Sequence, residues 1–189
     1  MSTDTDVIDI LTSDHRDVTT LIREIHTVDD AVMRRDLADT AISELVRHAV
    51  TEEMYVYPAM RRYLAGGDKA VEHDVEEHKE LERAMKQLEG ADVDSPEFAQ
   101  ALAQLETVLA DHIQDEEGEQ FPQLRSVVPP EELVELGAKV QAAKRLAPTR
   151  PHPDAPNNEV FHKLVGPGVG LVDRLRDKLT HRATAPTPE

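Results

Sequence analysis

The stretch His48–Pro58, HAVTEEMYVYP, returns 64 residues later (112 − 48) as His112–Pro122, HIQDEEGEQFP, with the histidine, both glutamates and the proline in the same places. In an α-helix, residues four apart share a face and lie about 6 Å apart along the axis, so His48 with Glu52, and His112 with Glu116, each form a two-ligand claw. The repeat extends upstream. Asp14-His15-Arg16-Asp17-Val18 matches Glu77-His78-Lys79-Glu80-Leu81 at an offset of 63 (78 − 15). Two α-hairpins built on one plan follow, each with a lone histidine on its first helix and an H-x-x-x-E pair on its second.

The surrounding apolar pattern supplies the helices. Ile8, Leu11, Val18, Leu21, Ile22 and Ile25 give helix one from Asp6 to about Thr27, at the three-and-four spacing of an amphipathic helix. A second run through Leu37, Ala41, Leu45 and Tyr55 spans about Asp29 to Leu64, kinked at Pro58 and stopped by Gly66-Gly67. Asp68 is expected to cap a third helix that carries Val71, Val75, Leu81, Met85 and Leu88 inward and stops at Gly90. Ser95-Pro96-Glu97 opens a fourth, through Phe98, Leu102, Leu105, Val108 and Leu109, which Gly118 and Pro122 should end. Four such helices with short turns predict an all-α, up-down-up-down bundle over residues 1–125. An accessory helix is expected within 126–147, opened by Pro129-Pro130, and a proline-rich linker over 148–158. A C-terminal helix and tail should fill 159–189, broken near Gly166-Pro167-Gly168-Val169-Gly170. That glycine run reads as a helix break, not a phosphate loop, because no strand precedes it and no lysine follows.

Composition narrows the function. With no cysteine among 189 residues, thiolate metal sites, iron–sulfur clusters and cysteine nucleophiles are excluded. A formal charge of −17 repels nucleic acid and anionic membranes. Met1–Ile10 does not read as a secretory signal and no stretch is apolar enough to span a bilayer, so a cytoplasmic location is expected by default.

His15, His48, Glu52, His78, His112 and Glu116 all fall on core-facing stripes. Burying four imidazoles and two carboxylates without partners costs several kcal/mol per charged group, a penalty that bound cations remove. A mixed imidazole and carboxylate set suits iron, manganese or zinc. Six ligands exceed one tetrahedral zinc and fit two metals bridged by the carboxylates. The Glu-x-x-His pairs of ferritin-like bundles are absent, since Thr12, Leu45, Val75 and Leu109 stand three residues before the histidines. A single core histidine is ordinarily a packed residue; six donors in register on four helices are not so explained. Glu53 and Glu117 are read as solvated surface acids, and His26, His152, His162 and His181 as surface residues.

The order His, H-x-x-x-E, His, H-x-x-x-E over residues 10–125 resembles the hemerythrin family, in particular its HHE cation-binding branch. The resemblance implies a non-haem diiron centre, with manganese or zinc less favoured, Glu52 and Glu116 bridging, His15 and His48 on one iron, and His78 and His112 on the other. It also implies O₂, nitric oxide or hydrogen peroxide as the small-molecule partner. Oxygen-carrying hemerythrins have a further histidine one turn before the equivalent of His78, where this chain has Asp74; His73 is adjacent but rotated by about 100°. Either Asp74 ligates, or a position is left to solvent, a tyrosine or substrate, with Tyr55 and Tyr57 the phenols in reach. The functions to weigh are gas binding for storage, sensing or stress response, peroxide decomposition, and iron-responsive regulation with a protein partner docked on the C-terminal region. Iron–sulfur repair ranks lower, because the related repair proteins carry a cysteine-bearing segment and this chain has none.

Overall fold

In a computed structural model, residues 5–154 and 166–184 are described; the expected helix portion at 159–165 and His162 lie outside them. Every regular element among the described residues is helical. In chain order these are α1 (Val7–Thr27), α2 (Ala31–Thr51), α3 (Tyr57–Tyr63), α4 (Gly67–Gly90), α5 (Pro96–Asp115), α6 (Phe121–Val127), α7 (Pro130–Lys144) and α8 (Gly166–Thr180). π-Helical turns at Glu52–Val56 and Glu116–Gln120 join α2 to α3 and α5 to α6, so each pair runs on as one long rod. The four rods pack as the expected antiparallel bundle, α1 against α2 and α4 against α5.

The helix starts follow the sequence. Asp6 accepts from the Asp9 amide, Asp30 from Met33 and Ser95 from Phe98, each cap worth about 1 kcal/mol. Two expectations change. Gly66, not Asp68, caps α4: it sits at φ 86°, a left-handed conformation that favours glycine, and offers no side-chain cap. Gly118 does not end the fourth rod. The wider π turn absorbs it, and the helix resumes to Val127 with Pro122 in the first turn of α6, where its missing amide costs nothing. The same turn precedes Pro58, so the predicted kink is an inserted π turn in both repeats.

Two apolar clusters fill the bundle on either side of its polar middle. One joins Leu21, Ile22, Ile42, Leu45, Leu81, Met85, Leu88, Leu102 and Leu105; the other joins Leu11, Val56, Met60, Val71, Phe121 and Leu124 and is covered by Leu133, Leu136 and Val140 of α7. The proline-rich stretch packs more than its composition led us to expect. Ala147, Thr149 and Arg150 are buried, and a Cβ on Gly170 would stand 2.3 Å from the Leu146 carbonyl oxygen, so glycine there permits α8 to lie directly on this segment. Buried ion pairs hold it: Arg150 to Asp177 and Glu89, and Arg182 to Asp39, Glu89 and Asp177. No helix of the described chain is long and apolar enough to cross a membrane.

Candidate metal centre

The six sequence-predicted donors are brought together in the middle of the bundle, each almost completely buried. All four imidazoles turn Nε2 toward the same point. Glu52 Oε2 lies 3.1 Å from His48 Nε2 and 3.4 Å from His78 Nε2, and Glu116 Oε2 lies 3.2 Å from His15 Nε2 and 3.5 Å from His112 Nε2. Each carboxylate thus spans the two hairpins. His15 and His48 approach to 3.1 Å, Nε2 to Nε2. The donors fall into two overlapping groups, His15, His48, His112 and Glu116, and Glu52, His78 and His112, that share His112.

The carboxylate contacts are close without being aligned as hydrogen bonds. Both oxygens of Glu52, both of Glu116 and Nε2 of His112 are buried with no hydrogen-bond partner. Polar atoms in that condition cost about 1–3 kcal/mol each, more when charged, and lone pairs converging on one volume fit a cation set better than a packed core. The donor chemistry, four imidazoles with two carboxylates, suits first-row transition metals.

The charges inside the site are mutually supporting. Burial works against a protonated His48, but Glu52 and Asp14 more than offset it and push its pKa up to about 10. Burial likewise opposes ionised Glu52, which His48 and His78 nonetheless hold well below the usual carboxylate range. His78 is raised well above an ordinary histidine, against burial, by Glu52 and Glu53. Protons and metal ions compete for the same lone pairs here, so cation binding must release protons.

A ring of outer carboxylates was not foreseen as part of the site. Nδ1 of each imidazole faces one: Glu117 at 2.8 Å from His15, Asp14 at 3.3 Å from His48, Glu53 at 2.9 Å from His78 and Glu77 at 3.0 Å from His112. Such partners fix the tautomer and orientation of a ligating histidine and raise its basicity. Glu53 is therefore buried in the centre, and Glu117 half-buried at its edge, instead of both being solvated at the surface. The π turns start at Glu52 and Glu116, and with them consecutive acids serve the same site: the first faces Nε2 atoms, the second an Nδ1. The signal was present in the repeat, where Asp14 aligns with Glu77 and Glu53 with Glu117.

The aromatic residues repeat the symmetry. Phe121 stacks on His15 with centroids 5.9 Å apart, and its counterpart Tyr57 stacks on His78 at 5.4 Å. The Tyr57 hydroxyl lies 3.0 Å from His78 Nε2, while Tyr55 is half-buried along the border of the two apolar clusters. Burial, followed by the charges of Glu52, Glu116, Asp74 and Glu53, raises Tyr57 well above a normal phenol and keeps it protonated. Asp74 is completely buried. Its Oδ1 accepts from the Gln120 amide at 2.7 Å, its Oδ2 has no partner, and burial pushes its pKa up to about 7. Outside the centre, His26 is exposed beside Glu106, and His152, expected at the surface, is half-buried against Asp173.

A helical bundle whose four rods deliver six buried histidine and glutamate donors to one point defines a class of cation-binding protein. The profile of the hemerythrin HHE cation binding domain matches residues 6–124, and the chain belongs to that family. A hemerythrin-like protein of Schizosaccharomyces pombe is 29% identical over 176 residues, 93% of this chain and 87% of that protein. A DNA nickase of Nostoc sp. is 27% identical over 141 residues, 75% of this chain but 40% of the nickase. The crystal structure of a hemerythrin HHE cation binding domain-containing protein from Mycobacterium kansasii superposes with a TM-score of 0.65 at 24% identity, over 75% of this chain and 86% of that one, and shares its fold.

Proposed function

We propose that this protein is a non-haem diiron protein that binds O₂ or nitric oxide, with His15, His48, Glu52, His78, His112 and Glu116 as iron ligands. The observation that carries the reading is the orphaned, converging set of buried donors, in which each of Glu52 and Glu116 reaches imidazoles of both hairpins. Two iron ions held there would supply reversible one-electron chemistry and open positions for a diatomic ligand. The chain's own residues orient the imidazoles through Nδ1, shield the site with the two apolar clusters, and leave a surface cleft that ends at Glu117 and Phe121, the residues touching His15. Elemental analysis is expected to find about two irons per chain, and the reduced protein should change its visible spectrum on exposure to one of the two gases. No spectral change with either gas would overturn gas binding.

A second reading, decomposition of hydrogen peroxide, is favoured by one observation. Tyr57, Asp74 and Gln120 put protonated or proton-sharing groups on a single side of the centre, which general acid–base chemistry on an oxidant requires. Oxygen evolution from peroxide by the iron-loaded protein, lost in Tyr57→Phe or Asp74→Leu, would support it; no evolution would dismiss it. The nicking activity named for the Nostoc relative is not carried over, because the match covers the smaller part of that protein and a charge of −17 repels a phosphate backbone.

A further inference from the structure

The outer carboxylates of the two hairpins are matched in place but not in company. Asp14 faces His48 with one oxygen and accepts from the ammonium group of Lys144 with the other, so a fixed cation neutralises it from outside. Glu77, its counterpart, faces His112 with Oε2. Its Oε1 lies 3.4 Å from Nε2 of His73, one turn earlier on α4, and Asp115 of α5 brings Oδ2 to 3.0 Å from the same nitrogen. One donor atom from each of the three lies within 4.8 Å of the others. His73 is exposed and Asp115 half-buried, with 58% and 45% of their side chains accessible, and Glu77 is mostly covered. His73-Asp74-Val75-Glu76-Glu77 is a third H-x-x-x-E claw, turned outward where the other two turn inward. The residues that align with His73 and Asp115 in the first hairpin are Ile10 and Thr51, so the ligand set exists in the second hairpin alone.

We propose that His73, Glu77 and Asp115 bind a divalent first-row transition-metal ion, of the Zn²⁺, Fe²⁺ or Co²⁺ type, on the outer surface of the bundle, with Glu77 joining it to His112. One imidazole and two carboxylates, completed by water, are an ordinary donor set for such ions. Two of the three donors stand one turn apart on a rigid helix, and the third comes from the helix packed beside it. The strongly negative field of the chain concentrates cations at the surface. The ion would take on the second hairpin the place that the Lys144 ammonium holds on the first.

The test is a Co²⁺ titration of the full-length, iron-loaded protein at physiological salt, followed by calorimetry and by the visible absorption of bound cobalt. The wild type is expected to take up one equivalent more than His73→Ala, whose iron content and spectrum before titration match the wild type. Asp115→Asn should weaken that equivalent by about tenfold or more, because it removes a charge next to a dication. Glu76→Gln, an exposed neighbour paired with Lys79, should leave it intact. Equal cobalt uptake by the wild type and His73→Ala overturns the site. If the purified protein holds no iron, the same comparison on metal-stripped protein still reads a difference of one equivalent, so the diiron reading and this site stand or fall separately.

Discussion

The two hairpins share a ligand plan and differ in what surrounds it. Each gives a lone histidine, an H-x-x-x-E claw, a π turn, an outer acid on each helix and an aromatic ring stacked on the other hairpin's histidine. Around the first, Leu11 and Val56 are apolar; at the aligned positions the second has Asp74 and Gln120, bonded to each other and buried. The repeated features are the proposed metal ligands together with the acid that faces each imidazole from outside. The unrepeated features are costly to bury and add nothing to the count of shared ligands, so they are where reactivity and selectivity are to be sought.

The sharpest break of the symmetry is removal of a spanning carboxylate. Glu52→Ala and Glu116→Ala are each expected to lower bound metal and to destabilise the fold by about 3–5 kcal/mol, by leaving buried imidazoles uncompensated. Metal analysis with urea unfolding checks both, and a large loss in only one would show that the hairpins do not share the load. Stripping the metal from the wild type should lower Tm in the same direction.

One step outward, Glu53→Gln and Glu117→Gln should each weaken metal binding by about 10–100-fold while the fold survives. Competition against a chelator measures this; wild-type affinity in both variants would reduce the outer ring to a packing detail.

The asymmetry can be erased by copying the first hairpin onto the second. In Asp74→Leu with Gln120→Val, metal content should persist. The wild-type Asp74 pKa rises from 3.8 to about 7 on folding, so the folded chain keeps a proton that the unfolded chain releases. Its contribution to stability therefore falls as pH rises from about 4 to 7, and the double variant should lack this fall. Urea midpoints at pH 5 and pH 8 report it. Tyr57→Phe, the aligned residue of the second repeat, should change stability by about 1 kcal/mol and leave iron in place.

The smallest effect belongs to the C-terminal segment, which both hairpins share through Asp39 and Glu89. His152 is raised by its hydrogen bond to Asp173, with burial opposing, and Asp173 is lowered, against burial, chiefly by His152. The histidine's contribution is full below about pH 6.5 and is lost as pH rises through its elevated value; the aspartate's is present above about 3.8 and is lost as pH falls below that. Attachment of α8 should be firmest between about pH 4 and 6.5 and loosen as pH rises through the histidine's elevated value, which amide exchange in α8 can follow.

Much of the architecture is a local property of this chain. Helical periodicity, capping residues and the spacing of His48, Glu52, His112 and Glu116 depend on residues within a turn or two of one another, and the repeat disclosed that two hairpins would bring six donors together. The outer carboxylates were missed because a straight α-helix turns Glu53 and Glu117 away from the residues before them, and only the π turn, with the packing of the opposite rod, brings each to an Nδ1. Likewise, composition made residues 148–158 look like a linker, whereas Arg150 and Thr149, among the described residues of that stretch, are buried by a helix more than 15 residues further along. By itself the sequence determined the helices, the inward donors and the family. Which acid serves which histidine, the burial of Asp74 and the meeting of His73, Glu77 and Asp115 were decided by the tertiary structure, since each depends on distances between helices that no local spacing specifies.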